Sequence, residues 1–508
     1  MSLARNATAS QSPTQTNGYE RHQPDQTLLY QLVEQHYPAF KASLEAQGQH
    51  LPRYIQQEFN DLLQCGRLEY GFMRVRCEDC HHERLVAFSC KRRGFCPSCG
   101  ARRMAESAAL LIDEVFPKEP IRQWVLSFPF QLRFLLARHP QLMGQVLSIV
   151  YRTLSTHLIK KAGYTKASAQ TGSVTLIQRF GSALNLNVHY HMLFLDGVHA
   201  EDDYGKQRFH RVKAPTYDEL NTLAHTLSHR IARCMEKRGI LERDAENTWL
   251  TLEEGEDDTL TQLHGASVTY RIAVGPQQGR KVFTLQTLPG REDKADSSSR
   301  VANHAGFSLH AGVMAEAHQR DKLERLCRYI SRPAVSEKRL ALTANGQVRY
   351  ELKTPYRNGT THVIFEPLDF IAKLAALVPK PRVNLTRFHG VFAPNSKHRV
   401  QVTPAKRGKK PDKSEGLDTN WRDKSPAERH RAMTWMQRLK RVFNIDIEVC
   451  EHCGGHVKVI ASIEEQGVTF QWASARRSPG RIALSFWTVD APHQQLIDVE
   501  WDGQRPEH

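Results

Sequence analysis

Cys77-Glu78-Asp79-Cys80 and Cys96-Pro97-Ser98-Cys99 are two Cys-x-x-Cys knuckles with fifteen residues between them. No other feature of the chain restricts its fold so tightly. Thiolates at two such knuckles grip one tetrahedral zinc ion, and the chain around the ion closes into a small ribbon. The spacing predicts a structural Zn2+ site at Cys77, Cys80, Cys96 and Cys99, with Cys90 a buried thiol between the knuckles. Lys91, Arg92, Arg93, Arg102 and Arg103 surround the second knuckle and suit phosphate contacts. A lone knuckle, Cys450-Glu451-His452-Cys453, stands far downstream. Cys450 and Cys453 are a candidate second site, with His452 or His456 as further donors.

The ten cysteines cluster in pairs, and the Ser/Thr/Gln-rich first 26 residues contain no apolar stretch of the secretory kind. Reduced, metal-binding thiols in a cytoplasm are therefore expected, not disulfides. The chain has 70 Lys+Arg against 54 Asp+Glu, a formal net charge of +16 over 508 residues. That balance points to a polyanionic partner, nucleic acid above all. No apolar run approaches the roughly 18 residues of a membrane span.

Hydropathy patterning predicts helices over 27–64, 131–162 and 216–241, the last with Leu220, Leu223, Leu227, Ile231 and Cys234 on one stripe. Residues 123–128 and 174–180 read as strands, 243–265 as an acidic surface excursion, 291–303 as a loop, and 307–310 as a short strand. In the stretch 185–193, Leu186, Val188, Tyr190 and Met192 fall on one face of a strand, and Asn185, Asn187, His189 and His191 on the other. Two imidazoles at i and i+2 point the same way, close enough to share one divalent cation. A turn at Gly181-Ser182 makes an antiparallel pair that brings Gln178 across from them. Gln178 and His310 are the candidates for a third ligand, and Asn187 for orienting His189.

A helix expected over 314–331 carries Leu323, Leu326, Cys327 and Ile330 as its apolar stripe. Tyr329 lies roughly 110° from the centre of that stripe, on the flank. Lys322 and Arg325 share nearly the same line, with Arg328 and Arg332 close by, so this edge suits a phosphate backbone. A phenol is a poor nucleophile until cations or a base favour the phenolate.

The segments QRFGSALNLNVHYHMLFLDGV, LERLCRYISRPAVSEKRL, LAALVPKPR and RFHGVFAPNSKHR, with FSCKRRGFCPSC upstream, resemble the rolling-circle transposases of the insertion sequence ninety-one family, and within it the common-region (ISCR) branch. The likeness covers about residues 30 to 460 in the expected order. It implies an α+β fold: an antiparallel-sheet catalytic domain of the HUH endonuclease type, flanked by helices and preceded by a small zinc ribbon. It also implies single-strand DNA nicking and strand transfer through a 5′-phosphotyrosine. His189 and His191 match the metal-holding histidines, and Tyr329 the nucleophile. Many members carry a second tyrosine four residues from the first; here that position is Arg325, which resembles the single-tyrosine branch.

A site of imidazole and oxygen ligands suits Mg2+ or Mn2+, while thiolates suit Zn2+. The partners implied are single-stranded element ends and target DNA, and host replication or helicase proteins, since no P-loop sequence is present. The place implied is a bacterial cytoplasm, at the nucleoid. A plasmid relaxase or replication initiator would use the same chemistry on another origin. A non-catalytic zinc-ribbon regulator would leave His189, His191 and Tyr329 idle. The expected organisation is a disordered tail (1–26), helical start and ribbon (27–110), catalytic domain (120–395), basic linker (396–427) and a C-terminal helix with the knuckle (428–508).

Overall fold

The computed structural model describes residues 23–243, 248–250, 259–289, 301–406, 440 and 448–464. Most of the expected tail, the linker beyond 406 and the helix expected around Met433–Leu439 lie outside the described residues. Helices α1 (Leu28–Glu45) and α2 (Arg53–Gln64) make up the region expected to be helical over 27–64, with Pro52 at the start of the second. Gly48, in the left-handed region at φ 70°, turns the chain between them. Strands β1 (Phe72–Cys77) and β2 (Glu83–Ala87) form a hairpin about the first knuckle, and α3 (Pro97–Leu110) begins inside the second.

Next come β3 (Ile121–Ser127), α4 (Phe130–Arg138) and α5 (Pro140–Lys161). The long helix predicted over 131–162 is broken after Arg138, because Pro140 has no N–H to donate and restricts the residue before it. Strands β4 (Gly172–Phe180) and β5 (Leu186–Leu195) follow as a hairpin, then α6 (Tyr217–Glu236), started by a capping box of Thr216 and Glu219. The last part of the supposed acidic excursion belongs to α7 (Thr259–Val268), which buries Leu260 and Leu263.

After β6 (Phe283–Gln286) come β7 (Val301–His304), β8 (Phe307–Ala315) and α8 (Arg320–Ile330). The helix predicted from Met314 thus starts six residues late, because β8 continues through Ala315. The described chain closes with β9 (Leu340–Leu342), β10 (Val348–Glu351), β11 (Thr360–Phe365), α9 (Pro367–Leu377), β12 (Thr386–Gly390) and β13 (Val457–Ile463).

The central sheet has six strands in the order β7-β8-β3-β5-β4-β12, antiparallel throughout. With helices on both faces, the α+β expectation holds. Trp124, Leu126, Tyr190, Met192 and Phe194 bury one face against α4, α5 and α6. On the other, Val174, Leu176, Leu193 and Leu195 meet Leu323, Cys327 and Ile330 of α8 and Ala108 of α3. This second face carries the histidines. A smaller four-stranded sheet, β6-β11-β10-β9, stands beside it. One core joins Phe40, Phe59 and Phe95 of the N-terminal part to Tyr350, Phe365 and Phe370.

One ion pair sits inside the central sheet. Arg122 donates to both carboxylate oxygens of Asp196, at 2.6 and 2.8 Å, and to the Ala311 carbonyl at 3.0 Å. The two side chains are 4% and 3% exposed, so the guanidinium ties three strands together out of water. Arg122→Met is expected to cost about 3–5 kcal/mol, because it leaves a buried carboxylate unpaired. Denaturant unfolding measures this; a loss below about 1 kcal/mol would show the carboxylate finding another partner.

Candidate active site and metal centres

Alternation along β5 fixes the direction of the two imidazoles. Leu186, Val188, Tyr190 and Met192 are fully buried on the helix-packed side, and the Tyr190 hydroxyl donates to the Met143 carbonyl of α5 at 2.8 Å. His189 and His191 must then face α8. Their Nε2 atoms converge to 3.1 Å. Two nitrogens bound side by side to one cation at about 2.1 Å would stand about 3 Å apart, so the pair fits a shared ion.

Each ring is also held from behind. His189 Nδ1 lies 2.8 Å from the Asn187 backbone carbonyl, which fixes the proton on Nδ1 and leaves Nε2 as the donor to a cation. Asn187 thus meets His189 through its main chain. His191 Nδ1 is 2.8 Å from the Gln123 side-chain amide, which can present either its oxygen or its nitrogen. Burial lowers the His189 pKa to about 4. Burial, helped by His189 and Arg332, lowers that of His191 to about 2. Both imidazoles are neutral at pH 7, the form a metal requires.

Gln178 pairs with His189 across the β4–β5 hairpin. Its amide nitrogen donates to the Ile330 carbonyl at the end of α8, while its Oε1 is buried without a hydrogen-bond partner. His310 pairs with Val125, which in turn pairs with His191, so it lies two strands, about 10 Å, from the site. Among the described residues no third His, Cys, Asp or Glu joins the two imidazoles within 4.8 Å. His310 therefore does not reach the pair.

Tyr329 stands 39% exposed on the flank of α8, its ring 6.5 Å from that of His191 and edge-on to it. Arg332 lies over this ring at 4.3 Å and Lys353 at 3.7 Å. Phe180, Tyr329, Arg332, Arg339, Lys353 and Arg357 are among the residues lining a cleft of about 380 Å3. Of the four predicted DNA contacts, Arg332 alone lines this cleft. Lys322 and Arg325 are exposed further up the helix, and Arg328 pairs with Glu324.

Sequence reasoning missed Gln123, although a buried-strand position filled by glutamine beside Trp124, Val125 and Leu126 was a signal. It also missed Lys353 and Arg339, which flank strands β10 and β9 of the second sheet; nothing in their local sequence marks them.

The cysteines gather differently from the prediction. Cys77, Cys80, Cys96 and Cys99 do not share a site: Cys96 and Cys99 join Cys65 and Cys90, while Cys77 and Cys80 join Cys450 and Cys453. The physical reason is the β1–β2 hairpin, which carries the first knuckle at its turn, away from α3. Cys90 is accordingly a member of a cluster. Its sulfur is 3.4 Å from that of Cys99, and Cys65 is 3.8 and 3.7 Å from Cys99 and Cys96. Four sulfurs at 2.3 Å from one Zn2+ would be separated by about 3.8 Å, so the set suits structural zinc. From this cluster α3 runs onto the sheet face that carries the histidines. A Cβ on Gly100 would come within 2.6 Å of Pro333 Cβ, so glycine lets α3 lie against the exit of α8.

Two family models match the chain. One, described as "Putative transposase", covers residues 172–399, which include β4, β5 and α8. The other, "Transposase zinc-binding domain", covers residues 32–128, which include six of the clustered cysteines. No curated protein and no solved structure matches. The matched domains support a DNA-binding, DNA-processing transposase, and the cysteine clusters support structural zinc. The two matched domains are together those of an IS91-type transposase. No helix among the described residues is long and apolar enough to cross a membrane.

Proposed function

We propose that this transposase nicks single-stranded DNA and transfers the strand through a covalent tyrosine link, as a rolling-circle enzyme does. The observation that carries the reading is the convergence of the two imidazole Nε2 atoms, 3.1 Å apart, beside the Tyr329 ring.

The phenol oxygen of Tyr329 attacks the scissile phosphorus in line. The new O–P bond forms as the P–O3′ bond breaks; the phenol proton leaves, and the departing 3′ oxygen takes one up as a 3′-OH. The 5′ end stays on Tyr329, and the link keeps the phosphodiester energy, so rejoining to a target strand needs no nucleotide. Arg332 and Lys353 put positive charge where the phosphate oxygens must sit. Phe180, the half-buried Arg339 and the exposed Arg357 suit the flanking bases and backbone. His189 and His191 would hold Mg2+ or Mn2+, with the unpartnered Gln178 Oε1 as the third protein donor. When bound there, a divalent cation supplies Lewis-acid polarisation of the scissile phosphate. Gln178 also ties β4, the strand beside the histidines, to the last turn of the tyrosine helix, which keeps nucleophile and ligands in one frame.

Incubating the protein with single-stranded DNA carrying its element's end and Mn2+ is expected to yield a protein–DNA adduct stable to denaturation. Peptide mass spectrometry should place the nucleotide on Tyr329 and leave the other product with a free 3′-OH. An adduct at a 3′ end, or cleavage without any adduct, would overturn the reading.

A further inference from the structure

The four sulfurs of Cys77, Cys80, Cys450 and Cys453 lie within 4.8 Å of one another, although the two knuckles are some 370 residues apart in the chain. Cys77 Sγ is 3.4 Å from Cys453 Sγ, and Cys80 Sγ is 3.5 Å from Cys450 Sγ. A disulfide would bring a pair to about 2.05 Å, whereas tetrahedral thiolates on one zinc ion stand about 3.8 Å apart.

The surroundings are built as a site. The downstream knuckle is a tight turn: Cys450 N–H donates to the Gly455 carbonyl at 2.8 Å, and Gly455 N–H points at Cys453 Sγ at 3.4 Å. That amide donates to the very sulfur that would carry negative charge. The two knuckles are then laced together. Glu78 N–H donates to the His456 carbonyl at 2.8 Å, Arg84 pairs with Glu451 at 2.7 Å, and the His82 and His452 rings meet at 4.1 Å. Directly after the knuckle, β13 pairs antiparallel with β1, from Val457 opposite Cys77 to Ile463 opposite Phe72.

We propose that this cluster is a second zinc site, distinct from the Cys65/Cys90/Cys96/Cys99 centre, which fastens the C-terminal knuckle to the N-terminal ribbon. The ribbon is incomplete without it: β13 supplies the third strand of its sheet, and the ion supplies the lock at the strand's start. The histidines are no ligands here, since each cluster already offers four sulfurs, the full tetrahedral set. The two sites differ in access. Cys65, Cys96 and Cys99 are buried, whereas Cys80 and Cys453 are exposed. The second ion is therefore the one a chelator reaches first.

Metal analysis of the full chain purified with zinc tests this. Two equivalents per chain are expected, released to a chromogenic chelator in a fast and a slow phase. Cys450→Ser and Cys77→Ser should each bind one equivalent and lose the fast phase, whereas Cys96→Ser should keep the fast phase and lose the slow one. Cys453→His retains a ligand and guards against misfolding as an explanation. It is expected to keep two equivalents, and its Co2+-substituted form should show a weaker thiolate-to-metal absorption than the wild type. One equivalent in the wild type, or two in Cys450→Ser, would overturn the proposal.

Discussion

Tyr329→Phe is expected to abolish the covalent adduct while leaving single-stranded DNA affinity within about threefold of wild type. The change removes one oxygen from a side chain that is 39% exposed, so packing of α8 through Leu323, Cys327 and Ile330 is untouched. Stability should therefore move by no more than about 0.5 kcal/mol. Catalysis has no such tolerance. Position 325, one turn back on the same helix, is arginine, so no second phenol stands on this face to take over. A loss of at least about 10⁴ in nicking rate, some 5 kcal/mol or more, is the expected size. Denaturing gels with end-labelled DNA read the adduct, and anisotropy reads the binding. Adduct at the wild-type level in Tyr329→Phe would remove this residue from the mechanism.

His189→Ala and His191→Ala form the second strong test. Each removes one of the two imidazoles whose Nε2 atoms converge, and each leaves the other too weak to hold an ion alone. A cation's share of transition-state stabilisation is several kcal/mol, so nicking should fall about 10³-fold or more, with DNA affinity retained. Mn2+ binding followed by electron paramagnetic resonance should be lost in parallel. Gln123→Ala acts one step further out, on the ring of His191, and is expected to cost about 10- to 100-fold. If either histidine variant nicks at the wild-type rate, the strand holds no catalytic metal. A protein that merely regulated through DNA binding would show no effect in any of the three.

These tests rest on parts of the molecule that differ in how openly the sequence displays them. The histidine strand was legible because a period of two needs only its own nine residues, and a buried face leaves one register open. Gln178 came with it from the hairpin reading, although five residues, 181–185, join the strands and a register shift beside Phe180 sets the pairing with His189. The stripe on α8 placed Tyr329 on the flank for the same local reason. The cysteines were misassigned because spacing along a chain records which residues can be neighbours, not which loops meet. Cys65 and Cys90 stand outside any knuckle, and the partner of Cys77 and Cys80 arrives from residues 450–453. Lys353 was invisible likewise: it reaches Tyr329 only because the second sheet packs beside the first. His310 shows the converse error. It shares the histidines' face, but a count of strands between them was not available until the sheet order β8-β3-β5 was known.

The pairing of β13 with β1 also sets a clock. Phe72–Cys77 leaves the ribosome early, yet the strand that covers its open side ends at Ile463. At about 5–20 residues per second, translation takes roughly 20–80 s to bridge that interval. Throughout it, β1 offers an unpaired edge on the side away from β2. The ribbon can be finished only after all six strands of the central sheet have been synthesised, so its closure comes last. A message cut short before codon 450 would yield protein with the histidine strand and Tyr329 in place and its ribbon still open.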